Sequence, residues 1–191
     1  MSIIIRQARK EDASQASILI YDAIHDIANR LTGETINHNI IIELENLFQL
    51  DDNRHSYLNT IVAVEENNTD FVLGILVLYS GKDGLLLDAA LQKRLENKKA
   101  SVTKIDQEAY VDEYYLDTIC VDKNSRGLGI GTQLLHVAEK VARQKGYRKL
   151  SLNVETEKVS ARRLYEKMGY VITETWTIID EPFYHMVKEI L

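Results

Sequence analysis

Ser125-Arg126-Gly127-Leu128-Gly129-Ile130-Gly131-Thr132 places three glycines at alternate positions, directly before a segment with apolar residues at helical spacing. A glycine has no Cβ, so its backbone N–H group can approach a ligand closely. The first turn of the following helix also carries unpaired N–H groups and the positive end of the helix dipole. Because both features favour an anion, the stretch predicts a binding site for a phosphate-bearing ligand.

Predicted strands and helices extend on both sides of this loop. A polar turn at 66–70 separates two predicted strands, and the second is apolar on both faces, which indicates a central position in a sheet. The order of elements predicts an α+β or mixed α/β fold, in a single domain over residues 1–191. The predicted strands are 3–7, 57–65, 71–79, 113–121, 149–154, 170–179 and 182–188; the predicted helices are 12–32, 39–50, 85–97, 160–168 and one from 130 to a cap at Gly146.

The composition excludes several classes of protein. The single cysteine, Cys120, rules out an internal disulfide, and the five histidines are too scattered to predict a metal site. The first residues lack the long apolar run of a signal peptide, and no apolar stretch of about 18 residues follows. We therefore expect a cytoplasmic protein with no membrane partner and no bound metal.

Charge is distributed unevenly along the chain. The net charge is −6, but residues 121–170 carry 11 Lys and Arg against 5 Asp and Glu, which leaves −12 for the remainder. An acidic chain argues against a nucleic-acid partner. A basic segment around the glycine loop favours an anionic ligand there, and an acidic remainder suits a cationic partner. The other interpretation is that these charges form ordinary solvated faces.

Three known phosphate-binding patterns can be compared with the loop. A P-loop requires Gly-Lys followed by Ser or Thr, which the chain lacks. The dinucleotide pattern Gly-x-Gly-x-x-Gly fails because its last position is Thr132 or Leu134, depending on the glycine from which it is counted. The third pattern, Arg-x-x-Gly-x-Gly, fits at Arg126, Gly129 and Gly131 without adjustment.

With this third pattern the sequence resembles the GNAT N-acetyltransferases, whose acyl-coenzyme A loop has this form. Four further stretches are similar to that family and in register with the loop: Ile5-Arg6-Gln7-Ala8 with Asp12, the strand at 116–122, the strand at 149–154, and Ala161 to Tyr170. The resemblance covers nearly the whole chain and is weakest at 37–57 and 82–109. It implies a mostly antiparallel mixed sheet of about seven strands, flanked by helices and splayed between strands 113–121 and 149–154.

The resemblance also implies acetyl-CoA as cosubstrate, with no metal. Its pyrophosphate would contact the loop N–H groups, and its pantetheine arm would lie along 119–121, where an N–H group would bind the thioester carbonyl. Lys158 stands where many members have Asn, and could reach a phosphate instead. The implied coenzyme-binding residues are Ile119, Cys120, Val121, Arg126, Gly127, Leu128, Gly129, Ile130, Gly131, Thr132, Asn153, Lys158 and Tyr165.

The reaction also needs groups that move protons. An ammonium must lose a proton before its nitrogen attacks a thioester, and the departing thiolate benefits from receiving one. Tyr165 is the predicted acid. Spacing alone would favour an inward aromatic residue on an amphipathic helix, and the match in position to the family reverses that preference. Asp117 is the preferred base and Glu113 the alternative, since a four-residue separation puts them on one face of a regular strand. A bulge would alter that alternation, and both carboxylates could simply line an acidic mouth.

The predicted function is transfer of an acetyl group from acetyl-CoA to a primary amine by direct attack. The acceptor is expected to be a cationic small molecule or peptide, and the oligomeric state is left open between a monomer and a homodimer. The alternative is a non-catalytic acyl-CoA-binding sensor or scaffold module, which would not need Tyr165. Cys120 is expected to be a core residue rather than an acyl carrier, and His185 a packed strand residue. The sequence does not identify the acceptor.

Overall fold

Seven strands form one mixed sheet in the computed structural model, which describes residues 2–190. Met1 and Leu191, which belong to the predicted domain, lie outside the described residues. The strands are β1 Ile3–Gln7, β2 Thr60–Glu65, β3 Asn68–Ser80, β4 Tyr114–Val121, β5 Lys149–Glu155, β6 Val171–Ile178 and β7 Glu181–Glu189. The helices are α1 Ala13–Ile24, α2 Asp26–Thr32, α3 Asn37–Gln49, α4 Gly81–Asn97, α5 Ile130–Gln144 and α6 Val159–Lys167.

The strand order is β1-β2-β3-β4-β5-β7-β6, and all neighbours are antiparallel except β4 and β5. This confirms the predicted mixed, mostly antiparallel sheet flanked by helices. Strand β3 is buried continuously from Val72 to Ser80, as expected of a central strand covered on both faces.

The sheet opens between β4 and β5. Their pairing is limited to Tyr114 with Leu150, Tyr115 with Ser151 and Leu116 with Leu152. Both strands then continue without pairing to each other, β4 to residue 121 and β5 to residue 155. The predicted splay is confirmed, and it leaves two strand edges with free hydrogen-bonding groups facing a gap.

A bulge lies at the point where β4 leaves β5. Val77 of β3 pairs with Thr118 and Leu78 pairs with Leu116, so Asp117 is an extra residue on β4. Such a bulge interrupts the alternation of side chains along a strand. Asp117 and Glu113 therefore cannot be placed on one face by counting, and Glu113 precedes the first residue of β4.

Two apolar clusters hold the helices to the sheet. On one face, Leu134 and Ala138 of α5 pack with Leu116 and Leu152. On the other face, helices α1 and α3 supply Ile20 and Leu44, which belong to the same buried cluster as Val62 of β2 and Ile75 of β3. Because residues from β4 and β5 form part of the first cluster, α5 is firmly attached beside the gap.

The first predicted helix, 12–32, is wrong as a single element. The chain breaks at His25, where φ is 39° and ψ is −111°, and continues as α2. The His25 N–H donates to the carbonyl of Tyr21, and the His25 carbonyl accepts from the N–H of Ala28, so both helix ends are satisfied. Apolar periodicity continues through this break, and neither glycine nor proline marks it.

Helix α4 begins earlier than predicted, at Gly81 rather than at residue 85. Ser80 caps it, because its Oγ accepts a hydrogen bond from the N–H of Asp83 at 3.0 Å. This cap outweighs the helix-breaking tendency of the nearby glycines. The connection from residue 98 to 113 contains no helix or strand, in line with the polar, irregular stretch expected there.

Candidate active site

The gap between β4 and β5 is a cleft of about 470 Å³. Its walls come from the diverging ends of the two strands, from α6 and from the end of α1. Residues from distant parts of the sequence meet here, as the splay requires. Eight of the predicted site residues line it: Asp117, Ile119, Cys120, Val121, Arg126, Asn153, Lys158 and Tyr165.

The glycine loop follows β4 and opens α5. Gly127 and Gly129 have φ of 78° and 75°, a left-handed conformation in which a side chain is strained. A Cβ at either position would meet no protein atom within 4 Å, so the space in front of the loop is open. Ile130 is buried and fixes the loop to the core, whereas Leu128 is exposed.

No side chain caps the first turn of α5. Gly129 occupies the N-cap position, and no side-chain hydrogen bond is made there. The first N–H groups of a helix have no partner within the helix. Arg126 joins the loop to the end of β4, since its Nε donates to the carbonyl of Val121 at 3.3 Å. The loop therefore presents backbone donors and one guanidinium at the edge of the cleft.

Tyr165 of α6 forms part of the opposite wall. Its ring packs edge-on against Tyr170, with 5.9 Å between ring centres. Burial raises the pKa of Tyr165 to about 12, since the phenolate would lose its hydration. The hydroxyl consequently keeps its proton at neutral pH and is available as a hydrogen-bond donor.

The Asp117 carboxylate is surrounded by four polar side chains. Its carboxylate accepts hydrogen bonds from the hydroxyls of Tyr79, at 2.5 Å, and Thr118, at 2.7 Å. Arg54 Nη1 lies 3.4 Å from Asp117 Oδ2, and His55 Nε2 lies 3.3 Å from Asp117 Oδ1. Burial alone would raise the pKa of Asp117, but these partners lower it well below its ordinary range. A carboxylate held in this way is a poor proton acceptor.

Glu113 is not among the residues that line the cleft. It is buried beside His185, whose Nε2 lies 3.2 Å from Glu113 Oε1, and it accepts the backbone N–H of Tyr110 at 3.0 Å. Burial opposes ionisation, but these hydrogen bonds lower the pKa of Glu113. His185 is fully buried and stacks on Trp176 at 4.4 Å. The assignment of Glu113 as a base stays a prediction that this geometry does not favour.

A buried guanidinium, that of Arg54, lies beside Asp117 and lines a separate small cavity with Glu108. Arg54 is 2% exposed; its Nη2 lies 2.6 Å from Asp88, its Nη1 lies 2.5 Å from Glu108, and Asp117 is its third carboxylate partner. Burial opposes the charge on Arg54, yet these three carboxylates raise its pKa well above the ordinary value. Arg54 and Glu108 fall in stretches that read as polar loops, so no local signal marked them.

A second cavity of about 780 Å³ adjoins the cleft. The two share His25 at the α1–α2 break, Glu155 at the end of β5, and three apolar residues, Ile24, Ile27 and Phe183. Asp26, Glu157 and Glu181 add further carboxyl groups to the second cavity. The two cavities therefore adjoin at five shared residues, and the second one is acidic.

A family model described as the acetyltransferase (GNAT) family matches residues 21–170 of this sequence. The chain belongs to the GNAT acetyltransferase family. The match contains β4, the glycine loop, α5, β5 and α6, which are the elements that build the cleft. The predicted family is thereby confirmed.

Solved structures agree with this assignment. An acetyltransferase is 30% identical, with a TM-score of 0.80 over 98% of this chain and 100% of that one. An N-acetyltransferase from Staphylococcus aureus Mu50 is 27% identical, with a TM-score of 0.81 over 96% and 99% of the two chains. The PaiA N-acetyltransferase from Thermoplasma acidophilum, solved with coenzyme A, shares the fold at 17% identity and a TM-score of 0.59, over 99% of each chain. A search of curated proteins finds no match.

The described part of this GNAT acetyltransferase shows neither a metal cluster nor a membrane-spanning helix. Within residues 2–190, no group of three or more His, Cys, Asp or Glu side chains is arranged to hold a metal ion. Over the same range, no helix combines the length and the apolar character that crossing a bilayer requires.

Proposed function

We propose that this protein transfers an acetyl group from acetyl-CoA to a primary amine by direct attack, as one N-acetyltransferase domain. The observation that carries the proposal is the cleft itself. It brings together Arg126, at the start of the glycine loop, and Tyr165, and it is bordered by two unpaired strand edges. The uncapped start of α5 follows directly after that loop. A thioester arm lying in that gap would present its sulfur to one wall and its carbonyl to the other.

The coenzyme would be held mainly by the protein backbone. Loop N–H groups from Arg126 to Thr132 would bind the pyrophosphate, with the α5 dipole favouring its negative charge. The unpaired edge at Ile119–Val121 would bind the pantetheine amides as a neighbouring strand does. Lys158 is exposed enough to exchange its ion pair with Glu155, now at 2.7 Å, for a phosphate. Asn153 shapes the wall, since its amide already donates to the Glu108 carbonyl at 2.8 Å.

Tyr165 would stabilise the leaving sulfur chiefly by hydrogen bonding. A phenol with a pKa of about 12 is a weaker acid than a thiol, so complete proton transfer from Tyr165 to the thiolate would be unfavourable. A hydrogen bond to the developing thiolate needs no such transfer. In this proposal the thiolate leaves hydrogen-bonded to Tyr165 and takes its proton from solvent.

The acceptor is proposed to be a cationic amine of a small molecule or peptide. Four carboxylate residues line the second cavity, and its described lining includes neither lysine nor arginine. Such a chamber attracts positively charged groups and raises their local concentration. It adjoins the cleft at His25 and Glu155, and none of the residues 126–132 is in its lining, so an acceptor bound there would leave the glycine loop to the coenzyme.

The test is release of free thiol from acetyl-CoA in the presence of a panel of amines and short peptides. We expect turnover with at least one polycationic amine, and a kcat about 100-fold lower in Tyr165→Phe. Tyr147→Phe is the matched control, because Tyr147 does not line the cleft and its variant should keep wild-type kcat. Tight coenzyme A binding without turnover on any amine would contradict the proposal and favour a non-catalytic acyl-CoA sensor or scaffold.

A further inference from the structure

We propose that Glu108 is the base that removes the proton from the acceptor ammonium, in place of the Asp117 and Glu113 candidates. This inference rests on the proposed acetyl transfer and assigns one residue to its first step. Glu108 lies in the connection before β4, in a stretch with no recognisable motif. It nevertheless lines both the cleft and the small cavity around Arg54.

Contacts from three directions fix Glu108 in place. Its Oε2 accepts a hydrogen bond from the Tyr115 hydroxyl at 2.7 Å, and its Oε1 lies 2.5 Å from Arg54 Nη1. Its backbone carbonyl accepts from Asn153 Nδ2 on β5. Tyr115 and Asn153 flank the last paired residues of β4 and β5, Leu116 and Leu152. The Glu108 carboxylate is therefore held where the strands separate, at the end of the gap.

The charge balance of the cluster decides which carboxylate can accept a proton. Three carboxylates, of Asp88, Glu108 and Asp117, surround the single guanidinium of Arg54. Burial, reinforced by the charge of Asp117, raises the pKa of Glu108 despite Arg54, and burial also raises that of Asp88. The pKa of Asp117 moves in the opposite direction. Of these three carboxylates, only Glu108 and Asp117 line the cleft. The Glu108 side chain is 12% exposed against 4% for Asp117, so within this cluster Glu108 combines the better access with proton affinity.

The groups that face Glu108 come from four neighbouring elements and bear on any pH dependence. Arg54 stays protonated, and the pKa values of Tyr79 and Tyr115 are raised well above the ordinary value, mainly by burial. Those three groups consequently keep one charge state around neutral pH. The charged and titratable groups of the cluster are Arg54, His55, Tyr79, Asp88, Tyr115 and Asp117.

In the proposed reaction, Glu108 acts before the new N–C bond forms. The acceptor enters as an ammonium, and one N–H proton moves to the Glu108 carboxylate, leaving a lone pair on nitrogen. That lone pair forms the N–C bond at the thioester carbonyl, and the C–S bond breaks with its electrons going to sulfur. The new amide nitrogen loses its second proton to solvent. The thiolate gains one proton from solvent, so one proton is released overall once Glu108 is again ionised.

Glu108→Gln tests this assignment by the pH dependence of thiol release. The probe is spermidine with acetyl-CoA, or whichever amine of the panel the wild-type protein acetylates fastest. We expect the wild-type rate to rise with pH and level off once Glu108 is ionised, whereas the Glu108→Gln rate should keep rising as the amine itself deprotonates. At neutral pH the kcat of the variant should be about 100-fold lower. The deficit should shrink towards about pH 10, because more acceptor is then already deprotonated. The KM for acetyl-CoA should stay within about twofold of wild type.

A structural role alone predicts a different result. Glutamine can accept from Arg54 and contact Tyr115, and it removes one negative charge from a cluster with excess negative charge, so the thermal midpoint should not fall. Asp88→Asn is the matched control, since it removes a carboxylate from the same guanidinium outside the cleft, and its rate should level off with pH as in wild type. A Glu108→Gln rate profile that levels off at the same pH as wild type, or an Asp88→Asn profile that no longer does, would overturn the assignment of Glu108 alone. Absence of wild-type turnover on every amine would overturn the acetyl-transfer function itself, and the assignment with it.

Discussion

The proposed coenzyme side and the proposed acceptor side of the cleft are built in different ways. The coenzyme side is a contiguous run of backbone, Arg126 to Thr132, whose shape depends on two left-handed glycines and the start of α5. The acceptor side is a set of side chains from distant segments, with Arg54, Glu108 and Asp117 brought together only by the fold. A backbone-built site leaves a local pattern in the sequence, whereas a cluster of side chains leaves none.

The positions of the charged side chains in space also depend on the fold. The basic residues Arg126 and Lys158 lie in the cleft, and the adjoining cavity is acidic, which matches the direction of the asymmetry in the sequence. However, Glu155 and Glu157 of that cavity come from the segment 121–170, which is basic as a whole. The distribution of charge along the chain is therefore only an approximate guide to its distribution in space.

The largest expected effect is on the acceptor side. Arg54→Met should lower the free energy of unfolding by about 3–5 kcal/mol, because it leaves buried carboxylates without their cation. The loss should be smaller at about pH 5 than at about pH 7, since carboxyls with raised pKa values take up protons as the pH falls. Urea denaturation at both pH values measures this. Arg30→Met, which breaks an exposed pair with Asp180, is the control and should cost less than about 1 kcal/mol; equal losses in the two variants would contradict the buried cluster.

The next effect is on the coenzyme side. Gly129→Val should weaken coenzyme A binding by about 100-fold, or about 2.7 kcal/mol, because it strains the loop and places a side chain where the phosphates would approach. Gly146→Val imposes a similar left-handed strain at the other end of α5, where φ is 81°. Isothermal titration calorimetry should show wild-type affinity for Gly146→Val. If both variants bound coenzyme A equally well, the backbone-built phosphate site would be wrong.

The smallest effect separates folding from binding within the loop. Gly131 lies inside α5, and an added Cβ would make an ordinary 3.8 Å contact with Val121. Gly131→Ala should therefore leave the thermal midpoint unchanged or raise it, as alanine favours helix by up to about 1 kcal/mol. It should nevertheless weaken coenzyme A about tenfold, if the ligand needs close approach to this N–H group. A variant that gained stability and kept full affinity would exclude Gly131 from the contact surface.

Much of the fold could be predicted from the sequence, because its signals are local. The glycine loop, the amphipathic α5 and the doubly apolar β3 each have a local sequence pattern that is typical of one kind of element. The prediction was wrong where two local tendencies conflicted. Apolar spacing passed through His25, where the chain in fact breaks, and the glycines near residue 81 hid the first turn of the helix that Ser80 caps.

The candidate site likewise has one part that the sequence predicts and one part that only the fold creates. Sequence alone determined the loop on the proposed coenzyme side, since short-range backbone conformation encodes left-handed glycines followed by a helix start. Only the tertiary structure decided that Asp117 would be bound to Arg54, that Glu113 would lie outside the cleft, and that Glu108 would enter it. The physical reason is that ionisation depends on burial and on neighbouring charges, and those neighbours are separated by up to 63 positions along the chain.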